Sequence, residues 1–339
     1  MTAAELAGGQ NTSRKFRRLT IGVIAAVAAY TGGWFATAHY LEGRLQQAFA
    51  DGSANGVAVE CDDLDVRGFP FRIGIFCDTV RLDDRTLASS ASFGALRSAA
   101  QVYQPGHAVI ELDGPAEFRS STGVRVSADW SLLHASMRSG LSGMNRFSAT
   151  YDQLKATVML PLTGDRVDID AAHGETHMRR NGPDLDIAAS VDALDLRPDA
   201  GPSLLPPTRA TVDLTLFDRA GLADYKAITG DALRGSKGEL RDLTIDLGNG
   251  MVGNASGPFS IDAKGLISGE FKVTIREISN ARPVLTAAFP DEDSTAAINN
   301  IANMLRALNN GRDDATVTIN VHKGKASLAF FPLGELPAL

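Results

Sequence analysis

From Leu19 to Ala38 the chain reads LTIGVIAAVAAYTGGWFATA, without a formal charge. Roughly twenty apolar residues is the length a helix needs to cross the hydrocarbon core of a bilayer. Arg14, Lys15, Arg17 and Arg18 stand immediately before this stretch. A basic cluster of this kind marks the cytoplasmic flank of a span, so everything after His39 is expected to be exported. Ala36-Thr37-Ala38 has the small-x-small pattern of a signal cleavage site, which leaves a cleaved secretory signal as the rival reading. A retained anchor is preferred, because the apolar run is long for a signal and Leu41, Leu45 and Phe49 carry helical spacing beyond it. A buried helix of a soluble domain fits less well, given the basic flank and the lack of an amphipathic face. Gly32 and Gly33 are small residues of the kind that let helices associate in lipid, but they are common in any span.

The rest of the chain has the means to build a core: 44% of residues are hydrophobic and 22% charged. A formal net charge of −7 supplies no global positive field to hold a phosphate backbone, so nucleic acid is not an expected partner.

Cys61 and Cys77 both follow the span. Between them Val57, Val59, Leu64 and Val66 lead into the turn-prone Arg67-Gly68-Phe69-Pro70, after which Phe71, Ile73 and Ile75 alternate outwards. A hairpin closing near Gly68 would put the two cysteines at similar distances from its tip, as a directly opposed antiparallel pair within disulfide range. An oxidising compartment would close that bond. Two buried free thiols are the alternative, and a metal site is poorer because no His neighbours the sulfurs in sequence.

From Val57 onward the pattern has period two: Ala108, Ile110 and Leu112; Val158 and Leu160; Val167, Ile169 and Ala171; Leu185, Ile187, Ala189 and Val191; Val212, Leu214 and Leu216; Leu243, Ile245 and Leu247; Phe271, Val273 and Ile275; Val317, Ile319 and Val321. Thr122-Gly123, Asn181-Gly182, Asn249-Gly250 and Lys323-Gly324 fall between these runs and favour antiparallel hairpins. The expected fold is therefore mainly β, a long, curved, mostly antiparallel sheet with one or two accessory helices. The helices are placed at Ala220 to Leu233 and at Ser294 to Leu308. In the second, Ile298, Ile301, Leu305 and Leu308 share a face behind the acidic and capping residues Asp291 to Ser294, and the helix is expected to cover an edge or end of the sheet. The organisation expected is 1–18 cytoplasmic tail, 19–38 transmembrane helix, 39–56 juxtamembrane helical stalk and 57–339 periplasmic β-rich domain. The proline-rich 198–207 is the one place for a subdomain boundary.

The basic-flanked span, Cys61, the core Arg67-Gly68-Phe69-Pro70-Phe71-Arg72, Cys77 and the closing Pro332-Leu333-Gly334-Glu335-Leu336-Pro337 together resemble an alphaproteobacterial family known as a domain of unknown function, DUF2125. The resemblance covers nearly the whole chain. It implies, as does a more general likeness to AsmA-like envelope proteins, a membrane anchor followed by β-rich segments facing the periplasm. It implies no activity and carries over no catalytic residue.

Chemistry-bearing motifs are sparse. His173-Gly174-Glu175-Thr176-His177 lets both histidines share a strand face, but it is not the zincin arrangement and no third ligand is indicated, so solvent-facing histidines are expected. Asp62, Asp63, Asp65, Asp168, Asp170, Asp184 and Asp186 recur at the spacing of a polar sheet face. Ser256 in Gly253-Asn254-Ala255-Ser256-Gly257 stands one position too late for a nucleophile elbow, and neither a phosphate loop nor a dinucleotide fingerprint is present. The expectation is a non-enzymatic protein of the bacterial inner membrane, with no cofactor, no metal and no catalytic residues assigned. It would bind or transfer a hydrophobic, lipid-like envelope component or, as the alternative, act as a scaffold for envelope protein partners. Phe69, Phe71, Phe271 and Phe330 are the candidates for the apolar ligand face, with ordinary core packing as the competing reading of each.

Overall fold

A computed structural model describes residues 4–140, 143–161, 164–199, 201–224 and 232–339. Helix α1 (Ala4–Ala54) is continuous from the basic cluster through the apolar run to the first strand, and it is long and apolar enough to cross a membrane. Among the described residues, twenty strand segments then form one open antiparallel sheet. Ten of these segments are the halves of five longer strands: Val57–Asp62 continues as Asp65–Arg67, Arg72–Cys77 as Thr79–Asp84, Ser89–Phe93 as Leu96–Gln101, Gln104–Leu112 as Ala116–Arg119, and Arg125–Asp129 as Leu132–Gly140. Each long strand pairs with the next over both halves, so the topology is an up-and-down meander. Gly143–Met159, Arg166–Asn181, Asp184–Pro198, Thr208–Phe217, Lys237–Asp246, Val252–Ile261 and Ile267–Ile275 extend it. After helices α2 (Ile278–Ala288) and α3 (Glu292–Leu308), Ala315–His322, Lys325–Leu328 and Phe331–Glu335 complete the sheet.

The breaks lie opposite one another and form a seam across the sheet. Asp62↔Thr79 and Asp65↔Phe76 place Asp63 and Leu64 opposite Cys77 and Asp78; Cys77↔Leu96 and Val80↔Phe93 carry the seam to Gly94 and Ala95, and Leu96↔Leu112 carries it to Gly114. It continues through Trp130 and Ser131, Gln153, Ala172 and Ala193. Asp63, Gln153 and Ala193 have φ of 53°, 52° and 51°, the left-handed conformation of a bulged residue. The seam stays hydrogen-bonded: Asp78 N donates to Asp62 O, Gly94 N to Asp113 O, Asp113 N to Ala95 O, and the Trp130 indole to Leu112 O at 2.7 Å. Crowding also fixes residue type here, because a Cβ on Gly94 would stand 2.6 Å from Gly114 O and 2.9 Å from Asp113 O.

The turns predicted from Gly-containing pairs are where hairpins close. Asn249-Gly250 (φ 53° and 80°) and Lys323-Gly324 (48° and 82°) have the two positive φ values whose twist suits a tight hairpin. The strands on either side of 198–207, Asp184–Pro198 and Thr208–Phe217, pair with each other in the one sheet. Helix α3 matches its sequence signals: the Asp291 side chain accepts from Ser294 N at 2.8 Å, with Glu292 and Asp293 in the first turn and Arg306 in the last. Helix α2, which contains Pro283, was not expected. Of the helix placed at Ala220 to Leu233, the chain forms a 3-10 turn at Ala220–Ala223, while residues 225–231 lie outside the described residues.

Cys61 and Cys77 lie at disulfide distance, with Cα atoms 5.3 Å apart. They are not the directly opposed hairpin pair that the sequence suggested. Cys61 faces Val80 and Cys77 faces Leu96, because the break at Asp63 and Leu64 sets the hairpin around Gly68 apart from the strand that holds Cys61. The bond thus ties the first two long strands diagonally across the seam. Replacing both cysteines by serine should lower stability by about 3 kcal/mol, from the loop-closure entropy of this spacing. Urea unfolding of the full chain in detergent, oxidised against the double variant, measures it. Gly94→Val should destabilise through its backbone clash by about 2 kcal/mol, read in the same assay.

Candidate functional site

Directly paired residues of antiparallel strands point to the same side of a sheet, so the register assigns every side chain to a face. One row runs Ile110, Ala135, Ala149, Thr176, Ala189, Val212, Leu243, Ala255, Val273 and Val317 through successive strands. A second, parallel row holds Leu133, Tyr151, Gly174, Val191, Ala210, Ile245, Gly253, Ile275 and Ala315. Beyond the seam the same face continues in Ala156, Ile169 and Leu196. A largely apolar surface, with Thr176 the one polar residue in these rows, therefore crosses the sheet.

Helical elements cover this face at its two sides and at one point between. Trp34, Ala38, Leu41 and Leu45 of α1 pack on Val66 and Ile73 of the first two strands. Ile278 of α2 and Ile301, Ala302, Met304 and Leu305 of α3 pack on Ile275, Ala315 and Val317. Leu222 and Ala223 of the 3-10 turn pack against Leu185, Leu216, Met178 and Phe259. Elsewhere the described residues leave the face open: Ala149, Val191, Val212 and Leu243 are half-buried and Ile245 is 41% exposed.

Of the four candidate phenylalanines, Phe271 belongs to this face, opposite Ile319. Phe69 and Phe71 belong to the turn after Arg67 instead. Phe69 lies against α1, its ring stacked on Phe35 at 5.6 Å and edge-on to Trp34 at 5.6 Å. Pro70 O accepts from the Tyr30 hydroxyl and Arg72 O accepts from the Trp34 indole at 2.9 Å. Phe330 is 98% exposed, in neither the core nor the apolar face: it follows left-handed Ala329 at the tip of the turn closed by Leu328↔Phe331, where a side chain leaves both strands. The four are not brought together. Tyr30, Trp34 and Phe35 were missed because inside an apolar run nothing distinguishes a residue that meets lipid from one that meets protein.

The opposite face is polar, and its ionisable groups mostly bind one another. Glu175 bridges the two histidines of the His173-to-His177 motif, with Oε1 to His173 Nε2 at 3.2 Å and Oε2 to His177 Nε2 at 3.1 Å; His173 Nδ1 meets Asp152 at 2.6 Å and His177 Nδ1 meets Ser148 at 2.9 Å. Among the described residues no set of three or more His, Cys, Asp and Glu side chains is placed to hold a metal ion. Asp186, the most enclosed carboxylate of the face, pairs with Arg179 at 2.6 Å, accepts from Thr215 at 2.8 Å and meets Arg241 at 3.3 Å. These partners, Arg179 first, hold its carboxyl below the usual range of its type. His107, Arg138, Arg146 and Arg179 form a basic cross-strand row, and among the described residues no carboxylate pairs with Arg138 or Arg146. They line a depression of about 550 Å³.

Asp152, and after it Glu175, raises the His173 pKa above its ordinary 6.5. A raised folded-state value means that the stability contributed by this histidine is present below 6.5 and is lost as pH rises through the raised value. In the Asp152→Asn variant the His173 pKa should fall back toward 6.5, as read from its ring resonances by NMR titration. Asp186→Ala takes from Arg179 its carboxylate partner and removes one acceptor each from Arg241, which keeps Asp213, and Thr215, and should cost about 2 kcal/mol in equilibrium unfolding.

Comparison with known proteins bears on the same features. No curated protein matches the chain. The profile of a family described as an uncharacterised protein conserved in bacteria, DUF2125, matches residues 34–337. The match begins at Trp34, whose indole donates to Arg72 O, and runs through all the strands to the last. The chain belongs to the DUF2125 family.

Proposed function

We propose that this is a bacterial inner-membrane protein, single-pass with its N-terminus cytoplasmic, whose periplasmic sheet binds or transfers a hydrophobic envelope component along its apolar face. The observation that carries this reading is the largely apolar surface that, among the described residues, is sealed only by α1, the 3-10 turn and the α2–α3 pair. From Ser89–Phe93 to Val252–Ile261 the strands leave an apolar surface roughly 40 Å wide at about 4.8 Å per strand, ample for an acyl chain. An open apolar surface of that size is unfavourable in water and marks a binding site. The uncharged run of α1 behind its basic flank supports the orientation, and the Cys61–Cys77 pair agrees with an oxidising compartment.

The reading is of binding rather than catalysis, because the ionisable groups of the polar face are largely spent on one another. It is also preferred over a scaffold that pairs through free strand edges. The first edge strand carries Glu60, Asp62 and Asp65, and the last is short and contains Pro332, both of which discourage edge-to-edge addition.

Mass spectrometry of lipids retained by the full chain, purified in mild detergent from a bacterial host, tests the proposal. Val212→Lys places a charge on the apolar face, and Thr211→Lys places the same charge one residue away on the polar face. Retained lipid should fall at least fivefold in the first variant and stay level in the second. Equal retention in both would assign the lipid to the anchor alone.

A further inference from the structure

The turn Gly68 to Phe71 is held against the part of α1 that the sequence assigns to the membrane. If the hydrocarbon core begins at Leu19, just after Arg18, about 30 Å of helix at 1.5 Å per residue brings it to Ala38. Tyr30, which donates to Pro70 O, then lies about 12 Å below that outer boundary, and Trp34, which donates to Arg72 O, about 6 Å below it. A turn bonded at those two levels stands at acyl-chain depth, however its own side chains are disposed.

The chemistry of the turn agrees with the depth. Backbone carbonyls in hydrocarbon must find donors within the protein, and the Pro70 and Arg72 carbonyls have theirs from the Tyr30 and Trp34 side chains. Gly68 to Phe71 carries no charge. The flanking Arg67 is paired with Asp65 at 3.2 Å and lies over the Phe76 ring, and both Arg67 and Arg72 are long enough to extend to headgroup level. A second tip adjoins this one: Val102 N donates to Phe71 O at 3.0 Å, so Val102 and Tyr103 stand beside the turn. Phe71 is 67% exposed and Tyr103 70%, two aromatic side chains on neighbouring tips with little protein over either.

We propose that the tips at Phe69 to Phe71 and Val102 to Tyr103 are inserted among the acyl chains of the outer leaflet, docking the sheet on the bilayer in which α1 tethers it. This rests on the reading that α1 spans the membrane. The occupant is phospholipid, argued from continuity with the span: the tips are bonded to it and share its depth. With the tips inserted, the strands that α1 covers stand with one end in the leaflet, beside the apolar face.

The test uses the full chain with its native cysteine pair intact, reconstituted into phosphatidylcholine vesicles. Phe71→Cys, Tyr103→Cys and Leu87→Cys each receive an environment-sensitive NBD label; Leu87 is 68% exposed on a turn at the other end of the strands. All three sites are open enough that the label leaves packing alone. Labels at Phe71 and Tyr103 should be quenched by nitroxide-bearing phosphatidylcholine and shielded from aqueous iodide at least threefold relative to Leu87. If both behave like Leu87 while the protein resists extraction by alkaline carbonate, the insertion is wrong and the span stands. Release by carbonate would overturn the span and the insertion together.

Discussion

The fold depends on keeping side-chain phase across a break. In a strand, a slip of one residue sends every later side chain to the other face. At the seam, several long strands insert an odd residue, and their sequences slip in step. Leu185, Ile187, Ala189 and Val191 are odd-numbered, left-handed Ala193 intervenes, and Leu194 and Leu196 resume on even numbers, so the apolar face survives the break. Gln153 does the same between Tyr151 and Leu154, and Asp63 and Leu64 between Cys61 and Val66. Without these compensations the apolar rows would end at the seam, and the cysteines, which straddle it on one face, would not meet.

Given that continuity, the division of labour among the remaining elements follows. Among the described residues no second sheet lies over this one, and its apolar face is covered where helical elements lie: α1 on the first two strands, the 3-10 turn over Leu185 and Leu216, and α2 with α3 on the strands around Ile275 and Val317. The polar face needs no cover. Most of its carboxylates and guanidiniums are exposed or partly exposed and pair with one another, and the buried Asp186 is satisfied by Arg179 and Arg241. The two faces therefore obey different rules, one left incomplete and the other self-sufficient, and that asymmetry is the reason for placing the ligand on the apolar side.

Much of this was legible in the sequence. Each period-two run, from Ala108-Ile110-Leu112 to Val317-Ile319-Val321, lies on the apolar face, and the Gly-containing pairs mark real hairpin turns, because alternation and turn chemistry are local properties. The amphipathic helix around Ile301 and Leu305 was readable for the same reason, with its acidic cap in place. What was not legible is non-local. The seam appears only when breaks in different strands are set side by side by register. Helix α2 hides behind Pro283, which reads as a terminator. The clasp of Tyr30, Trp34 and Phe35 on the turn after Arg67 joins segments that sequence reasoning treated apart, as a span and as a hairpin. Phe330 shows the opposite error, a large apolar residue whose place at a turn tip outweighs its hydrophobicity.

The central claim is that lipid lies along the apolar rows of the sheet and not merely around the anchor. Photocrosslinking decides it most directly: the full chain in vesicles containing a phospholipid with a diazirine near the end of its acyl chain, followed by mapping of the modified peptides. The account predicts adducts on Asp184–Pro198, Thr208–Phe217 and Lys237–Asp246, at Val191, Val212, Leu243 and their neighbours in the rows. Adducts confined to α1 and the tips beside it would contradict the account, leaving a sheet that touches the membrane but carries nothing from it.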